Sequence, residues 1–507
     1  MPLPANRTSW PPPGTEKDYR RISTWDAWYG GDPERLARTY GAVTGWSNRP
    51  SQYAGGIVGT IARWFWGRPT PPGEPRANLH LPIASDIAAT SAALLFSDPP
   101  TFTVRPKTGP QTQTRLEALL ERNHAPALLL EAAEVAAALS GVYLRVSWDT
   151  LRYDYPLLSA VHADAALPEF AWGRLVAVTF WRAWDTDSTG VVLRHLEHHQ
   201  PGLVTHALYR GTTTNIGNRV PLQDHPSTAS LNATIPTGIP QLTAVYVPNV
   251  RPNRCDRVSP LGCSDYAGIE PLMDALDEIY TSWMRDIRIG KGRIIVPDTF
   301  LQDLGPGKGA YFDPDREIYS GLNILPQVDG GSSLTVSQFA IRVQEHADSA
   351  QAYTQQIVSA AGYSPQTFGL GGEAAITATE VAAREKKSLL TRSKKLRYWQ
   401  SALVDIVTAL LAVDRQIFGT NIQPAAPTVE FPAAVHPDAG HVATTADLLH
   451  RAEAASTDTL VRMVHPDWDE ATVAAEVERI HSQTTGSLPD LETMFTQPQP
   501  RELSAGG

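Results

Sequence analysis

Apolar positions recur along the chain in two rhythms, and the longest regular run comes late in the sequence. From Leu389 they fall at Leu396, Trp399, Leu403, Ile406, Leu410, Val413 and Ile417. After a first gap of seven the steps alternate between three and four, which draws one apolar stripe along a helix. Thr379, Glu380 and Val381 open that helix, and Gly419 stands where a helix commonly stops. At a rise of about 1.5 Å per residue, 379–418 makes a rod roughly 60 Å long. Such a rod exceeds an ordinary small domain and implies a strut inside something larger. A second helix is predicted over 336–361, with Phe339, Ile341, Val343, Ala347, Ala350, Tyr353, Ile357 and Val358 as its apolar side. Between the two, Gly362, Pro365, Gly369, Gly371 and Gly372 break the pattern and predict a loop.

Upstream the rhythm changes. A helix over 78–96 is stopped by Asp98-Pro99-Pro100, and a helical stretch over 115–140 is interrupted at Pro126. Strand-like alternation follows at 141–149, 175–181, 191–197 and 203–209, with turns at Gly190, Pro201-Gly202 and Gly211. Strands spaced so closely fit an antiparallel meander. Residues 212–240, rich in Thr, Asn and Pro, read as loop. A helix returns over 266–289, carrying Ile269, Leu272, Leu276, Ile279, Trp283 and Ile287 on one side. Short strands at 293–297, 310–313 and 317–319 then form a compact insertion between two long helices. The Pro-rich, polar residues 1–20 read as an extended arm. Beyond Gly419 come a linker with one short strand over 424–437, helices over 446–463 and 470–481, and a disordered tail from Thr484. The class is α+β, with no internal repeat.

With 507 residues the chain can bury several cores. Its formal net charge of -10, from 43 basic and 53 acidic residues, argues against gripping nucleic acid by bulk charge. It is compatible with an ordinary acidic protein and with a surface past which DNA slides. The two cysteines, Cys255 and Cys263, lack the paired spacing of a zinc site. They read as a reduced intracellular pair, with a local disulfide as the lesser alternative. The N-terminus runs into Pro11-Pro12-Pro13 rather than an apolar signal segment. The most apolar stretch, 125–139, contains Glu131 and Glu134 and does not read as a membrane span. Production in a cytoplasm and no membrane partner are the resulting expectations.

Catalytic signatures are missing. There is no phosphate-binding Gly-x4-Gly-Lys-Ser/Thr loop, no Gly-x-Ser-x-Gly elbow and no His-Glu-x-x-His. Gly369-x-Gly371-Gly372 does not follow a strand, which weakens a dinucleotide reading. His195, His198 and His199 with Glu197 invite a metal, but in a strand His195 and His198 face opposite sides. No catalytic residue, metal ligand or cofactor is therefore assigned. Seven basic residues between Arg384 and Arg397 form either a nucleic-acid-binding face, a solvated face, or partners for carboxylates of a neighbouring subunit.

The run Gln338-Phe339-x-Ile341-Arg342, then Gly362-Tyr-Ser-Pro-Gln-Thr-Phe-Gly369, then Thr377-Ala-Thr-Glu-Val381 with Arg384, resembles the portal proteins of tailed bacteriophages, siphophage type. The resemblance covers roughly 78–419. It implies an N-terminal arm (1–40), a wing (41–265), a first stem helix (266–289), a clip (290–335), a second stem helix (336–361), a tunnel loop (362–378), a long wing helix (379–419), a crown (420–483) and a disordered tail (484–507). It further implies a dodecameric ring at the capsid vertex of the virion, assembled in the host cytoplasm. Double-stranded DNA would pass through it without sequence specificity. The implied partners are the terminase large subunit, the head-completion adaptor, and the major capsid and scaffolding proteins.

Gln366, Thr367, Phe368, Leu370, Gly371, Gly372 and Glu373 would line the channel. The clip charges Arg293, Asp298, Lys308, Asp313, Asp315 and Arg316 would meet partners. Leu396, Trp399, Leu403, Ile406 and Leu410 would pack the long helix. In such proteins much of this helix is buried between subunits, which favours the solvated or intersubunit reading of its basic run. Two other readings stay open: a nucleic-acid-processing enzyme of the phage head, and a minor head or scaffold protein without a channel.

Overall fold

A computed structural model describes residues 3–36, 79–104, 109–185, 190–289, 341–370, 378–432, 439–465 and 468–485. It also gives short strands at 293–295, 302–303, 310–311 and 335–337. The fold is α+β, and the chain divides into two compact units: Met1–Gly372 with Glu385–Pro432, and Glu373–Arg384 with Ala433–Gly507.

The first unit begins with residues that the sequence reading leaves as an extended arm. Residues 3–10 instead lie along the turn at 211–219. Arg7 N donates to Gly217 O, Trp10 N to Thr214 O, and Tyr209 Oη to Pro4 O. Trp10 enters a small core with Leu196, Tyr209 and Ile216. Helix α1 (Glu16–Gly30) follows, and its Ile22, Trp25 and Trp28 are buried. Helix α2 (Ile83–Phe96) packs along α4 (Ala125–Leu139). Alanines are buried on both, Ala84, Ala88 and Ala92 facing the same cores as Ala132, Ala136 and Ala137, and such small side chains let helix axes approach closely. Between them come β1 (Thr101–Thr103) and α3 (Pro110–Arg122). The break between α3 and α4 falls at Asn123-His124, two residues before Pro126, which sits in the first turn of α4 where it costs no hydrogen bond. Asn123 seals the break, donating to Leu119 O and Pro156 O and accepting from Leu158 N.

Two sheets follow. Strands β2 (Gly141–Ser147), β3 (Leu157–His162) and a later β10 (Ala244–Pro248) form an antiparallel sheet in the order β10-β2-β3. Strands β4 (Ala166–Ala171), β5 (Arg174–Asp185), β6 (Val192–Gln200), β7 (Leu203–Gly211) and β8 (Asn218–Val220) run in sequence order, and β9 (Thr234–Pro236) pairs with β7. The meander read from the sequence is therefore present, with additional short strands inside the stretch read as loop. Tyr143, Val178, Phe180 and Ala244 pack where the two sheets meet.

Helix α5 (Glu270–Ile289) leads to β11 (Arg293–Ile295). A strand pair β12 (Gln302–Asp303) and β13 (Ala310–Tyr311) comes next, then β14 (Thr335–Ser337) and α6 (Val343–Ala361). The helix expected from 336 thus starts at Val343, because Val336 pairs with Ile294 in the antiparallel β11–β14 ladder. The expected strand at 317–319 lies outside the described residues. Helix α7 (Ala378–Phe418) is 41 residues long. Its Trp399, Leu403, Ile406, Leu410 and Val413 lie in the largest core with Phe96, Leu116, Leu129 and Val142, and Leu396 packs against that core. Trp399 meets Phe96 edge-on at 4.8 Å between ring centres. Strand β15 (Thr428–Glu430) returns to pair with β1.

The second unit contains α8 (Ala439–Arg451), α9 (Thr457–Val464) and α10 (Glu470–Thr485). Ser456 caps α9 by accepting from Thr459 N, and Val461 and Val473 are buried. Among the described residues no helix is long and apolar enough to cross a membrane.

Candidate functional site

Helix α6 ends at Gly362, whose φ of 101° lies in the left-handed region that a side chain would strain. Tyr363 and Ser364 turn inward and are buried, and Pro365–Phe368 form one turn of 3-10 helix closed by Gly369. The seam between this turn and α7 is polar. Ser388 Oγ accepts from Ser364 N at 2.9 Å and lies 2.8 Å from Thr367 Oγ1. Thr391 Oγ1 donates to Gly362 O at 2.6 Å, and Lys387 Nζ to Ser359 O at 2.5 Å. Phe368 and Leu370 pack against the core shared by α1, α2, α5 and α6. Gln366 is half-buried within the turn. Gly371, Gly372 and Glu373, the other proposed channel-loop residues, lie outside the described residues.

Beneath this turn sits a closed cluster of buried polar groups. Lys395 Nζ donates to Ser91 Oγ (2.6 Å), Asp265 Oδ2 (2.6 Å) and Tyr363 Oη (3.0 Å), which uses all three ammonium protons. Tyr363 Oη donates to Asp265 Oδ2 at 2.7 Å, and Asn249 Nδ2 to Asp265 Oδ1 at 2.8 Å. The side chain of Lys395 is 2 % exposed and that of Asp265 is 0 % exposed. Burial pushes the Lys395 ammonium below its usual range, and the Asp265 carboxylate pulls the other way. Burial, then the neighbouring carboxylate, holds the Tyr363 phenol well above its usual range. Taking two charges out of water is costly unless they are well hydrogen-bonded, and here the ammonium donates three bonds while the carboxylate accepts three. The cluster ties α2, the segment before α5, the turn after α6 and the strut α7 to one point.

The basic run on α7 is thus neither wholly solvated nor reserved for another subunit. Lys395 is neutralised within its own chain, and Arg392 donates to Leu94 O and Pro432 O. Lys386, Lys394 and Arg397 are exposed. The signal for Lys395 was the gap of seven in the apolar stripe. The buried position inside that gap is Lys395, and Ser388, just before Leu389, is buried as well.

Helices α5 and α6 pack together, and their far ends are pinned by Asp286, which accepts from Arg342 Nη2 at 2.9 Å and lies 3.0 Å from His346 Nε2. Those bonds hold the Asp286 carboxyl below its usual range. The rings of Trp283 and His346 stack 6.0 Å apart. Met284, Ile287, Ile341 and Val343 are exposed near the same end. The β11–β14 ladder continues the pair, with Arg293 opposite Ser337. Of the proposed clip charges only Arg293 is placed. Asp298, Lys308, Asp313, Asp315 and Arg316 lie outside the described residues.

The histidines are committed to hydrogen bonds. His195, Glu197, His199 and His206 share one sheet face, and His198 on the other bonds Thr179 Oγ1. Glu197 accepts from Arg145 at 2.9 Å and meets His199 Nε2 at 2.6 Å, while His195 Nε2 lies 3.1 Å from His206 Nδ1. Among the described residues no group of three or more His, Cys, Asp or Glu is arranged to hold a metal ion.

A family model described as phage portal protein, SPP1 Gp6-like, matches residues 12–488. The chain belongs to this family of phage portal proteins. A non-enzymatic reading agrees with membership of this family. Among solved structures, the portal chain is similar to one from the virion of a native gene transfer agent particle, with 14 % identity over 80 % of this chain and 99 % of that one, at a TM-score of 0.42. A chain from the neck of the empty particle, computed with C6 symmetry, gives 14 %, 80 %, 97 % and 0.42. One from the neck of the native particle, computed with C12 symmetry, gives 14 %, 80 %, 92 % and 0.41. No curated protein matches the chain.

Proposed function

We propose that this portal protein is of the siphophage type and assembles as a dodecameric ring at one capsid vertex, forming the channel through which double-stranded DNA is packaged and later ejected. The family match over residues 12–488 carries this reading. The paired helices α5 and α6 serve as a stem, the segment between β11 and β14 as the clip, and the turn after α6 as the base of the tunnel loop. Exposed Met284, Ile287, Ile341 and Val343 at the far end of the stem supply apolar surface for a neighbouring copy. Copies joined head to tail around an axis close into a ring. A net charge of -10 per copy disfavours tight DNA binding, as a conduit requires.

In this reading the ring is built in the host cytoplasm with scaffolding and major capsid proteins. It docks the terminase large subunit during packaging and the head-completion adaptor afterwards, and remains in the virion. Negative-stain imaging of the purified chain tests the central claim. Turbine-shaped rings with a central hole are the expected result, and a monodisperse monomer at micromolar concentration overturns it.

A further inference from the structure

The segment joining β10 to α5 is pinched by a single side chain. Asn253 Nδ2 donates to Leu261 O (3.2 Å) and Gly262 O (3.1 Å). Its Oδ1 accepts from Cys255 N, Asp256 N and Cys263 Sγ, each at 3.0 Å. The two ends of this loop are also paired directly, Val250 opposite Cys263 in an antiparallel bridge. Both cysteines are free thiols, Cys255 exposed and Cys263 buried, and the Cys255 backbone N–H and the Cys263 thiol converge on one acceptor, each 3.0 Å from Asn253 Oδ1.

The loop sits between two parts of the core. On one side Arg21 of α1 donates to Cys255 O and lies 3.7 Å from the Asp256 carboxylate. On the other, Asn249 Nδ2 donates to both Cys263 O and Asp265 Oδ1, the latter part of the Lys395 cluster. A covalent link across the loop therefore braces the connection from the N-terminal helix to the anchor of the strut.

We propose that Cys255 and Cys263 are a latent disulfide site, open in a reducing cytoplasm and closed once the chain meets an oxidising exterior. The change of compartment rests on the virion reading above, whereas the chemistry rests on the loop alone. With oxidised glutathione as the oxidant, the exposed Cys255 thiolate attacks one glutathione sulfur. This forms a mixed disulfide and releases one glutathione thiol. The neighbouring Cys263 thiolate then attacks Cys255 Sγ, closing the protein disulfide and releasing the second glutathione. Two protein thiols are oxidised, one glutathione disulfide is reduced, and the two thiol protons pass to the departing glutathiones. Partial desolvation, then the neighbouring Cys263, raises the Cys255 thiol above its usual range even though its surface is open, so attack at neutral pH is slow. That suits a bond made once rather than a cycling sensor.

The test uses the full chain, purified reduced, then incubated with oxidised glutathione and alkylated. The oxidised chain should be about 2 Da lighter than the reduced one before alkylation, with no alkylation at either cysteine. Trypsin cuts after Arg257, so the 255–257 peptide should appear linked to the peptide that begins at Val258 and contains Cys263. The melting midpoint should rise by roughly 2–4 °C and return on reduction. Cys263→Ser should retain a glutathionyl group on Cys255, because nothing resolves it. A persistent glutathione adduct on Cys255 of the wild-type chain, or a disulfide between two copies, overturns the proposal. Alkylation of intact particles reads the compartment separately: free thiols there, with a bond that does form on the purified chain, would refute the change of state and leave the ring reading untouched.

Discussion

Lys395 Nζ lies 2.6 Å from Asp265 Oδ2, joining the strut to a residue 130 positions earlier in the chain. Neither charge reaches water, so each depends on the other. Lys395→Met strands a buried carboxylate and should cost about 3–5 kcal/mol. Lys395→Met combined with Asp265→Asn removes both charges and should recover most of that loss. Urea denaturation of the two variants checks this: equal destabilisation would mean that the pair is not the source of the cost.

Trp399 is the largest side chain of the stripe and is 2 % exposed against Phe96. Truncating it to Ala should cost about 3–5 kcal/mol. Lys394→Ala, on the exposed side, should change stability by no more than about 0.5 kcal/mol. Thermal unfolding with size-exclusion chromatography separates the two, and unchanged melting of Trp399→Ala would show that the stripe is not core.

Stability should fall in acid because of the sheet histidines. Burial, then His206, pushes His195 down to about 4 from 6.5, against the pull of Glu197, with Arg145 and His225 also lowering it. The folded chain keeps this imidazole neutral while the unfolded chain protonates it, so stability is whole above pH 6.5 and is lost as pH falls toward 4. His195 alone accounts for about 3 kcal/mol, and His198 and His206 shift in the same direction. Urea midpoints at neutral and acid pH should differ less for His195→Phe than for wild type.

Shortening the loop after Leu370 tests its place in the channel. Deleting residues 371–375 should leave rings intact and impair packaging or retention of DNA. Packaging at the wild-type level would remove the loop from the narrowest part of the conduit.

Charge reversal at Arg293, Asp298, Lys308, Asp313, Asp315 and Arg316 should weaken terminase or adaptor binding while rings still assemble. Failed assembly, with unchanged partner affinity in the rings that survive, would instead make this segment a subunit interface.

The strut was legible because Leu396 to Val413 repeat the helical step in apolar letters. Its start at Thr379 was legible too, but the anchoring of its N-terminal half was not, because Ser388 and Lys395 occupy covered positions with polar side chains whose partners, Ser364 and Thr367 for the first and Asp265 and Ser91 for the second, are distant in sequence. Helix α1 was hidden in the same way: Ile22, Trp25 and Trp28 have helical spacing, but the surrounding Pro-rich, charged residues mask it. Strand β4 contains Pro168 and Glu169, which break apolar alternation, and it is held by its ladder to β5. The start of α6 at Val343 follows from the β11–β14 pairing, a contact no local pattern encodes. The channel-loop assignment came from likeness to a family, and no residue pattern alone would have supplied it.

The β11–β14 ladder has a consequence for how such proteins change over time. It fixes the two ends of the 296–334 segment side by side, so the helices on either side do not register how much chain lies between. Closing a longer loop costs only about 0.6 kcal/mol for each doubling of its length. Insertions, deletions and wholesale replacement of that segment are therefore cheap. A lineage can exchange that stretch by recombination without renegotiating the scaffold on either side.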